Sequence, residues 1–541
     1  MNSKDKLMTA VELAVLPCAK TDFARMRKQG FIYVDKTEQI FNLACQSNYF
    51  FLSRPRRFGK TLLISTFEDL FKNGLENFKG LAIEKLWTDH TYPVIHLDFS
   101  GCKTDDIDEF KNLYTKMIED AFALADLPLP SASDSSSTIN SRVEFFIKSS
   151  KDLYPVILID EYDAPLNNAL HDEKLFSEIR KELSFFYSML KRVSGQLRFL
   201  FFTGICKYKN LSIFSDTNYV TDISMDAKYG TLLGYTDDEV RKYFTPFVEN
   251  AAKVLGINSD ECFDKLKLNY DGFCFDDKAS THVYTPWSVL SFLSAPEKGF
   301  RNYWYSSGGQ SSLLLNYISG HALRDITEYG QDQYLSFEEL DSSREVNDLN
   351  DYALLYQTGY LTIKDSSTSG DFVLNYPNAE VATSMARLYA DELFKAQKTY
   401  KKLNMNALKL FSTALIDDIP QKLNEALTCI DYNRFPIVDE ASLEAFLVIY
   451  AYGGGVDARP QGHNAYGRSD IEFSAGNRYF VFELKYLPEG KDYLAVSKLT
   501  EAVEQIKNKH YDEDHAHGRE LVRLALVYSR DQKKFIAALT I

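Results

Sequence analysis

Short apolar runs recur through the first two hundred positions of the chain and alternate with longer amphipathic stretches. Each run is rich in β-branched or aromatic residues, as expected for a strand buried on both faces of a parallel sheet. The runs are Asn48–Leu52, Pro93–Phe99, Pro155–Glu161 and Leu197–Gly204. Because the segments between them have helical periodicity, the pattern predicts successive βαβ units and an α/β fold.

The first run leads directly into a candidate phosphate-binding loop. This loop, Ser53–Thr61, is followed by the helical pattern of Leu62–Phe71, which gives the order strand, loop, helix. The N-terminus of a helix offers unpaired N–H groups and a positive dipole end, so phosphate groups bind there. We expect Gly59 to let the backbone approach ATP, Lys60 to reach its β- and γ-phosphates, and Thr61 to bind Mg²⁺.

The loop departs from the full Walker pattern, because Arg54 occupies the position of the glycine six residues before the lysine. Alone, the motif leaves a plain strand-to-helix connection as an alternative. The third apolar run favours a nucleotide site, since it ends in Asp160 and Glu161 at the sheet edge where ligands bind. We expect Asp160 to hold Mg²⁺ and Glu161 to orient or deprotonate the attacking water. Thr203, at the end of the fourth run, either senses the γ-phosphate or is a satisfied strand-end threonine.

These motifs resemble the AAA-ATPase-like family of largely bacterial proteins. The shared segments are Tyr33–Thr37, Phe51–Thr61, Ile159–Asp163, Thr203–Gly204, Ile213–Ser215, Leu233–Thr236, Tyr270–Phe273 and Pro286–Leu290. Arg54 is typical of that family. Its members resemble ATPases that couple nucleotide state to conformation, and such ATPases often act as rings, which implies a possible homo-oligomer. Arg56 and Arg57, beside the Gly59–Thr61 motif, either contact phosphate, with Arg57 in the nucleotide site, or form a solvated basic turn.

A hairpin is predicted near the end of the chain. The pattern of Gly467–Phe473 and Arg478–Lys485 is that of two strands, and Ser474–Asn477 forms the turn between them. Folding the hairpin about this turn brings Asp470 opposite residues 481 to 483.

Two carboxylates and one ammonium group converge on this hairpin. The two-residue period of a strand puts Glu483 and Lys485 on one face, close to Asp470. Oxygen ligands from Asp470 and Glu483 suit Mg²⁺, which lowers the pKa of a bound water to make a nucleophile. Lys485 would position that water or offset developing negative charge. The alternative is a half-buried hairpin with a glutamate and a lysine on its solvent face.

The same residues resemble the PD-(D/E)XK nuclease superfamily, which implies a restriction-endonuclease-like α/β domain that acts on nucleic acid. The matching elements are Asp470 as the first acid, Glu483–Lys485 as the E-x-K element, Gln505 and Tyr511 as a Gln-x5-Tyr pair on the following helix, and Glu444 as an auxiliary acidic metal ligand. Ser469 stands where the motif has proline. By this resemblance Gln505 joins Asp470, Glu483 and Lys485 in the catalytic site.

Composition limits where nucleic acid binds and where the protein works. The net charge of −15 argues against non-specific coating of nucleic acid, so affinity is expected in a local patch, with Lys507, Lys509, Arg519 and Arg523 as candidates. No run approaches about 18 apolar residues and no secretory signal is recognisable, which favours the cytoplasm without a membrane partner. The seven cysteines show no CxxC pair, so neither a zinc site nor a disulfide framework is predicted.

The sequence thus predicts a P-loop NTPase parallel sheet with a helical lid and connector, followed by a restriction-endonuclease-like α/β domain. The expected domains are 1–225 for the ATPase core, 226–395 for the lid and connector, and 396–541 for the nuclease-like domain. The leading hypothesis is an enzyme that uses ATP and Mg²⁺ and cleaves nucleic acid under nucleotide control. The alternative is an ATP-dependent switch or scaffold whose nuclease-like module binds nucleic acid or protein without cleaving.

Overall fold

A computed structural model describes most of the chain and divides it into two compact units. The described residues are 15–46, 48–131, 138–150, 152–208, 220–304, 306–307, 332–341, 351–367, 370–393, 400–430, 432, 436–453, 456–460, 463–464, 467–468, 470–509 and 519–541. The units separate between Glu380 and Val381, so the predicted lid and connector up to Glu380 belong to the same unit as the N-terminal sheet. Within the described ranges, every helix is too short or too polar to traverse a bilayer.

The first unit is built on a parallel sheet whose strands are the four predicted apolar runs and one short addition. Its described strands are β1 (Tyr49–Ser53), β2 (Val94–Asp98), β3 (Val156–Asp160), β4 (Phe199–Gly204) and β5 (Thr221–Asp222). They lie in the order β2-β3-β4-β1-β5, and every pairing is parallel. Strands β3 and β4 are buried along their whole length, which explains their unbroken apolar pattern. The α/β prediction is confirmed.

Helices connect these strands as βαβ units require. They are α1 (Phe23–Lys28), α2 (Thr37–Ala44), α3 (Lys60–Asn73), α4 (Ile107–Leu124), α5 (Ile139–Ser149), α6 (Ala164–Asn168) and α7 (Glu173–Arg192). Helix α3 follows β1 through the candidate phosphate-binding loop, as predicted. Its buried positions, which include Leu63, Ile64, Phe67 and Phe71, recur every three to four residues and face the core.

The rest of the first unit mixes helices with short strands. The helices are α8 (Asp237–Leu255), α9 (Ser259–Tyr270), α10 (Pro286–Ser294), α11 (Phe337–Asp341), α12 (Asp351–Thr358) and the start of α13 (Ala379–Leu393). The strands are β6 (Phe273–Cys274), β7 (His282–Val283), β8 (Gln333–Ser336), β9 (Thr362–Ser366) and β10 (Asp371–Asn375). Helices α8 to α10 share one apolar core, and β8, β9 and β10 form an antiparallel sheet with another.

The second unit contains a mixed sheet. Its described strands are β11 (Asp457–Pro460), β12 (His463–Asn464), β13 (Gly467–Arg468), β14 (Ile471–Ala475), β15 (Arg478–Leu487), β16 (Glu520–Ser529) and β17 (Lys534–Thr540). The main sheet has the order β11-β14-β15-β16-β17, and only β15 and β16 run parallel. Its helices are α14 (Tyr400–Thr413), α15 (Ile419–Leu427), α16 (Glu440–Gly453) and α17 (Ala495–Lys509).

Helix α17 forms the crossover between the parallel strands β15 and β16 and contacts both of them. An aromatic cluster fills another part of this unit, where Phe411 of α14 packs against Phe473, Phe480 and Phe482 of the hairpin. The predicted hairpin is confirmed, although its first strand begins at Ile471 and the two residues Gly467–Arg468 form β13.

Candidate nucleotide and nuclease sites

The phosphate-binding loop places Lys60 inside its own curve. Gly59 precedes α3 with a φ of 97°, in the left-handed region that glycine adopts without strain. The Lys60 Nζ donates to the carbonyl oxygens of Arg54 at 2.8 Å and of Pro55 at 3.0 Å. Burial lowers the pKa of Lys60. A phosphate group that binds here would replace these two carbonyl oxygens as the hydrogen-bond partner of the Lys60 ammonium group.

The end of β3 carries the predicted magnesium ligand. Asp160 is the last residue of the strand, and its Oδ1 accepts hydrogen bonds from the Thr203 hydroxyl at 2.7 Å and from the Glu161 amide at 3.0 Å. Thr203 is fully buried on the neighbouring strand β4. Its hydroxyl therefore orients the Asp160 carboxylate, which is a role that the sequence did not suggest.

Glu161 begins the loop after β3 in a strained conformation. Its φ is 50°, which a non-glycine residue rarely adopts and which is often found at functional sites. Burial raises the pKa of Glu161, while Lys103 and Lys60 oppose that shift. The Lys103 Nζ lies 3.7 Å from the Glu161 Oε2. Lys103 was not among the predicted site residues.

A cavity of about 500 Å³ adjoins the loop. Its walls include the cationic side chains Arg56, Arg57, Lys60 and Lys103, together with Glu161 and the exposed Thr61. A Cβ on Gly59 would meet nothing closer than 4.0 Å, so the loop backbone is open to an approaching group. The donors and charges present fit a polyphosphate, with Thr61 and Asp160 supplying oxygens suited to Mg²⁺.

In the second unit, the hairpin brings the predicted acid and the E-x-K element together. Ile471 pairs with Phe482, and Gly476 makes the turn with a φ of 60°. The Asp470 Oδ2 accepts a hydrogen bond of 2.6 Å from the amide of Leu484, between Glu483 and Lys485. This agrees with the register expected from the turn.

Glu483 and Lys485 are buried, so the alternative that placed them on a solvent face is wrong. They are 2% and 5% exposed, and the Lys485 Nζ lies 3.3 Å from the Glu483 Oε1. Glu483 pairs with Ala525 of β16, which packs against Ala502 and other residues of α17. The two charged side chains therefore lie on the face of the sheet that α17 covers.

The other residues predicted for the nuclease site are Gln505, Glu444 and Tyr511. Gln505 lies on α17, and its Oε1 is buried without a hydrogen-bond partner among the described residues. Glu501, one turn earlier, has a lowered pKa owing first to Lys498 and to a smaller extent to Lys485, which places Lys485 near this helix. Glu444 is half-buried on α16. Tyr511 lies outside the described residues.

Within the described part of the chain, no group of three or more His, Cys, Asp or Glu side chains is arranged to hold a metal ion. Asp470 and Glu483 nevertheless supply oxygen donors of the type Mg²⁺ prefers, so the donor chemistry fits. Of the predicted basic patch, Lys507 and Arg519 are exposed and Arg523 is half-buried, while the side chain of Lys509 lies outside the description.

Comparison with known families identifies two domains in the chain. Residues 17–214 match the family described as predicted AAA-ATPase, and residues 438–538 match the PD-(D/E)XK nuclease superfamily. The chain carries an AAA-ATPase-like domain followed by a PD-(D/E)XK superfamily domain. Both resemblances expected from the motifs are thereby confirmed.

Similar proteins add little about function. The chain is 28% identical to "Uncharacterized protein in vnfD 5'region" of Azotobacter chroococcum mcd 1, over 96% of this chain and 98% of that protein. Among solved structures, the match to Cdc6p from Pyrobaculum aerophilum covers 70% of this chain and 100% of the Cdc6p chain, with 11% identity and a TM-score of 0.24. The match to the Aeropyrum pernix ORC2 protein covers 67% of this chain and 97% of the ORC2 chain, with 11% identity and a TM-score of 0.24. The fold of the chain is defined by its sheet topology and by the two family matches.

The AAA-ATPase-like domain contains a further buried acid to which the sequence assigned no role. The Asp163 Oδ2 accepts from the amides of Ile205 at 3.0 Å and Cys206 at 2.8 Å, so it fixes the backbone that leaves β4. A Cβ on Gly204 would lie 2.5 Å from the Tyr162 ring and 2.7 Å from the Asp163 Oδ1. The glycine after Thr203 was the signal that could have indicated this close packing.

The PD-(D/E)XK domain also holds a contact that sequence reasoning missed. The Glu440 Oε1 accepts a hydrogen bond of 3.3 Å from the amide of Tyr486, the residue after Lys485. Glu440 is the first residue of α16, so this bond ties the start of that helix to the strand that carries the E-x-K element. No local pattern marks such a contact, because it joins residues 46 positions apart.

Proposed function

We propose that the protein binds and hydrolyses ATP with Mg²⁺ and that its C-terminal domain cleaves nucleic-acid phosphodiester bonds under the control of the bound nucleotide. The observation that carries the nuclease proposal is the burial of Glu483 and Lys485 next to Asp470. A buried ion pair is often less stable than apolar residues of similar volume. A strand that keeps such a pair among phenylalanine, valine and leucine is therefore better explained by chemistry than by stability.

In the ATPase site the chain's own groups have separable tasks. Lys60 and the amides at the start of α3 bind the phosphates, and Thr61 and Asp160 would hold Mg²⁺. Thr203 orients Asp160 through its 2.7 Å hydrogen bond. Glu161 orients or deprotonates the attacking water, and its raised pKa makes it a better base than an exposed carboxylate.

In the nuclease site, Asp470 and Glu483 would hold Mg²⁺, with Glu444 as an auxiliary ligand. The ion would supply Lewis-acid stabilisation and an activated water. Lys485 offsets the negative charge that develops on the scissile phosphate, and Gln505 positions the nucleophile or the substrate from α17. The substrate backbone binds near the positive groups Lys507, Arg519 and Arg523.

The test is cleavage of single- and double-stranded DNA and RNA with Mg²⁺ or Mn²⁺, with and without ATP. Glu483→Gln should abolish cleavage, and the exposed Glu504→Gln on α17 should not. Lys60→Ala should remove ATP binding and with it the effect of ATP on cleavage, whereas Lys72→Ala, an exposed lysine of the same helix, should behave as wild type. Metal-dependent cleavage that persists in Glu483→Gln would refute the site.

Absence of cleavage on every substrate, with ATP still bound, would favour the ATP-dependent switch or scaffold instead. Binding of the same oligonucleotides would then be measured at two salt concentrations, because a local basic patch predicts affinity that falls steeply with salt. Sedimentation with and without ATP would test the ring that the family resemblance implies.

A further inference from the structure

The cavity beside the phosphate-binding loop has two chemically different parts. One is the cationic part formed by the loop and Lys103. The other is apolar and aromatic, and it is lined by Pro17, Ile32, Tyr33, Tyr235, Trp287 and Leu290. A nucleotide has the same division between its phosphates and its flat base. The apolar part contains several aromatic rings, so the residue that carries the base has to be identified among them.

Two of these rings are already engaged with core aromatics. Tyr33 packs edge-on against Phe23, with ring centroids 5.0 Å apart, and Tyr235 packs against Phe244 at 5.3 Å. Among the described residues, Trp287 makes no contact of this kind with another ring. Its indole Nε1 donates to the carbonyl of Tyr303 at 3.2 Å, which fixes the ring in place at the start of α10.

The face of Trp287 is instead covered by a residue of the phosphate-binding loop. The Arg57 guanidinium carbon lies 4.5 Å from the centre of the Trp287 ring, and the Arg57 Nη2 donates to the carbonyl of Ser307. Arg57 is exposed and has a φ of 73°. An aromatic face that accepts a flat guanidinium at this distance has room for a flat base in the same position.

We propose that Trp287 is the base-stacking residue of the nucleotide site and that Arg57 covers its ring until the nucleotide enters. The base then stacks on the indole face of Trp287. The Arg57 guanidinium leaves the ring and the Ser307 carbonyl and donates to a phosphate oxygen instead. A charge-assisted bond to phosphate is stronger than one to a neutral carbonyl, so the exchange favours the bound state. This inference rests on the proposed ATP site and adds the residue that recognises the base.

Binding of two probes separates the base from the phosphates. Mg²⁺-ATP and Mg²⁺-tripolyphosphate are titrated against the full chain by calorimetry. Trp287→Leu should weaken ATP binding by about tenfold or more, because stacking on an aromatic ring is lost. Tripolyphosphate affinity should change by less than about twofold. Trp287→Phe, which keeps a ring, should retain most of the ATP affinity.

Fluorescence supplies a readout that does not depend on the leucine variant folding. The chain has three tryptophans, so an emission change on ATP binding can be assigned. It should disappear in Trp287→Phe and persist in Trp87→Phe. Unchanged ATP affinity in Trp287→Leu, or equal loss for both probes, would overturn the stacking role while leaving the ATP site intact. No ATP binding by the wild type, or full binding by Lys60→Ala, would instead refute the ATP site itself.

Discussion

Replacing Glu380 by glutamine should change how the stability of the first unit depends on pH. Glu380 is 1% exposed at the start of α13. Its Oε1 accepts from the amide of Trp304 at 2.7 Å, and its Oε2 accepts from the Ser288 hydroxyl at 2.7 Å. Burial raises the pKa of Glu380 from 4.5 to about 8, and these hydrogen bonds only partly oppose the shift. The buried side chain is therefore largely protonated at neutral pH.

The sign of the effect follows from linkage. Because the folded-state pKa is above the unfolded value, the folded state binds the proton more tightly. That stabilising contribution is complete below about pH 4.5 and is lost as the pH rises to about 8. The shift from 4.5 to about 8 is about 3.5 units, and at 1.36 kcal/mol per unit it corresponds to on the order of 5 kcal/mol.

Glutamine keeps an acceptor for the Trp304 amide and an amide donor for the Ser288 hydroxyl, but it does not ionise. Glu380→Gln should therefore be within about 1 kcal/mol of wild type near pH 5 and become more stable than wild type by several kcal/mol near pH 8.5. The free energy of unfolding would be measured in urea from pH 5 to 8.5 by tryptophan fluorescence. Trp87, Trp287 and Trp304 all lie in the same compact unit as Glu380, so the signal reports that unit.

Glu297→Gln, at an exposed position of the same unit, is the control and should follow the wild-type curve at every pH. Other titrating groups contribute equally to wild type and variant, so they cancel in the difference between the two curves. A constant difference between Glu380→Gln and wild type across the pH range would refute the reasoning. So would a variant that is less stable than wild type at pH 8.5.

Two further substitutions test packing and charge. Gly204→Ala would place a methyl group 2.5 Å from the fully buried Tyr162 ring, so we expect the free energy of unfolding, measured by thermal unfolding, to fall by about 2 kcal/mol or more. The control is Gly101→Ala, where no atom lies within 4 Å of the new Cβ and the loss should be far smaller. Equal losses in the two variants would contradict the packing argument. Lys485→Met leaves the buried Glu483 without its cation, so we expect the free energy of unfolding to fall by about 3 kcal/mol, most of which the double variant with Glu483→Gln should restore. A double variant as unstable as Lys485→Met would show that the loss does not come from an unpaired charge on Glu483.

The central sheet could be predicted because its strands are buried on both faces. A short run of β-branched residues such as Val156–Asp160 is typical of a strand buried on both faces, and the carboxylate that ends it marks the ligand-binding edge. The helix after Gly59 was equally clear from its periodicity. The partners of Lys60 were not predictable, because the two carbonyls that bind it depend on how the loop between Arg54 and Gly59 curves.

The residues that sequence reasoning missed in the nucleotide site come from distant segments. Lys103 follows the second strand and Trp287 lies in the first turn of a helix of the predicted lid, so neither is near the loop in sequence. Hydrophobic periodicity locates a helix but does not tell which loop its first turn will meet. Trp287 lies in a segment shared with the family, but its proposed role in base stacking depends on the Arg57 guanidinium that lies over its ring.

The nuclease-like site shows the same division between local and distant information. The position of Asp470 relative to Glu483 and Lys485 followed from the turn, because a tight hairpin sets the register of its two strands. The burial of the charged pair did not follow, since the two-residue period is the same whether a face meets solvent or a helix. The packing of helix α17 accounts for the burial of the pair, because Ala502 and Ile506 pack onto the sheet face that carries Glu483. The helix that removes these charges from water also carries Gln505, so burial of the pair and the proposed catalytic chemistry are expected to depend on one helix.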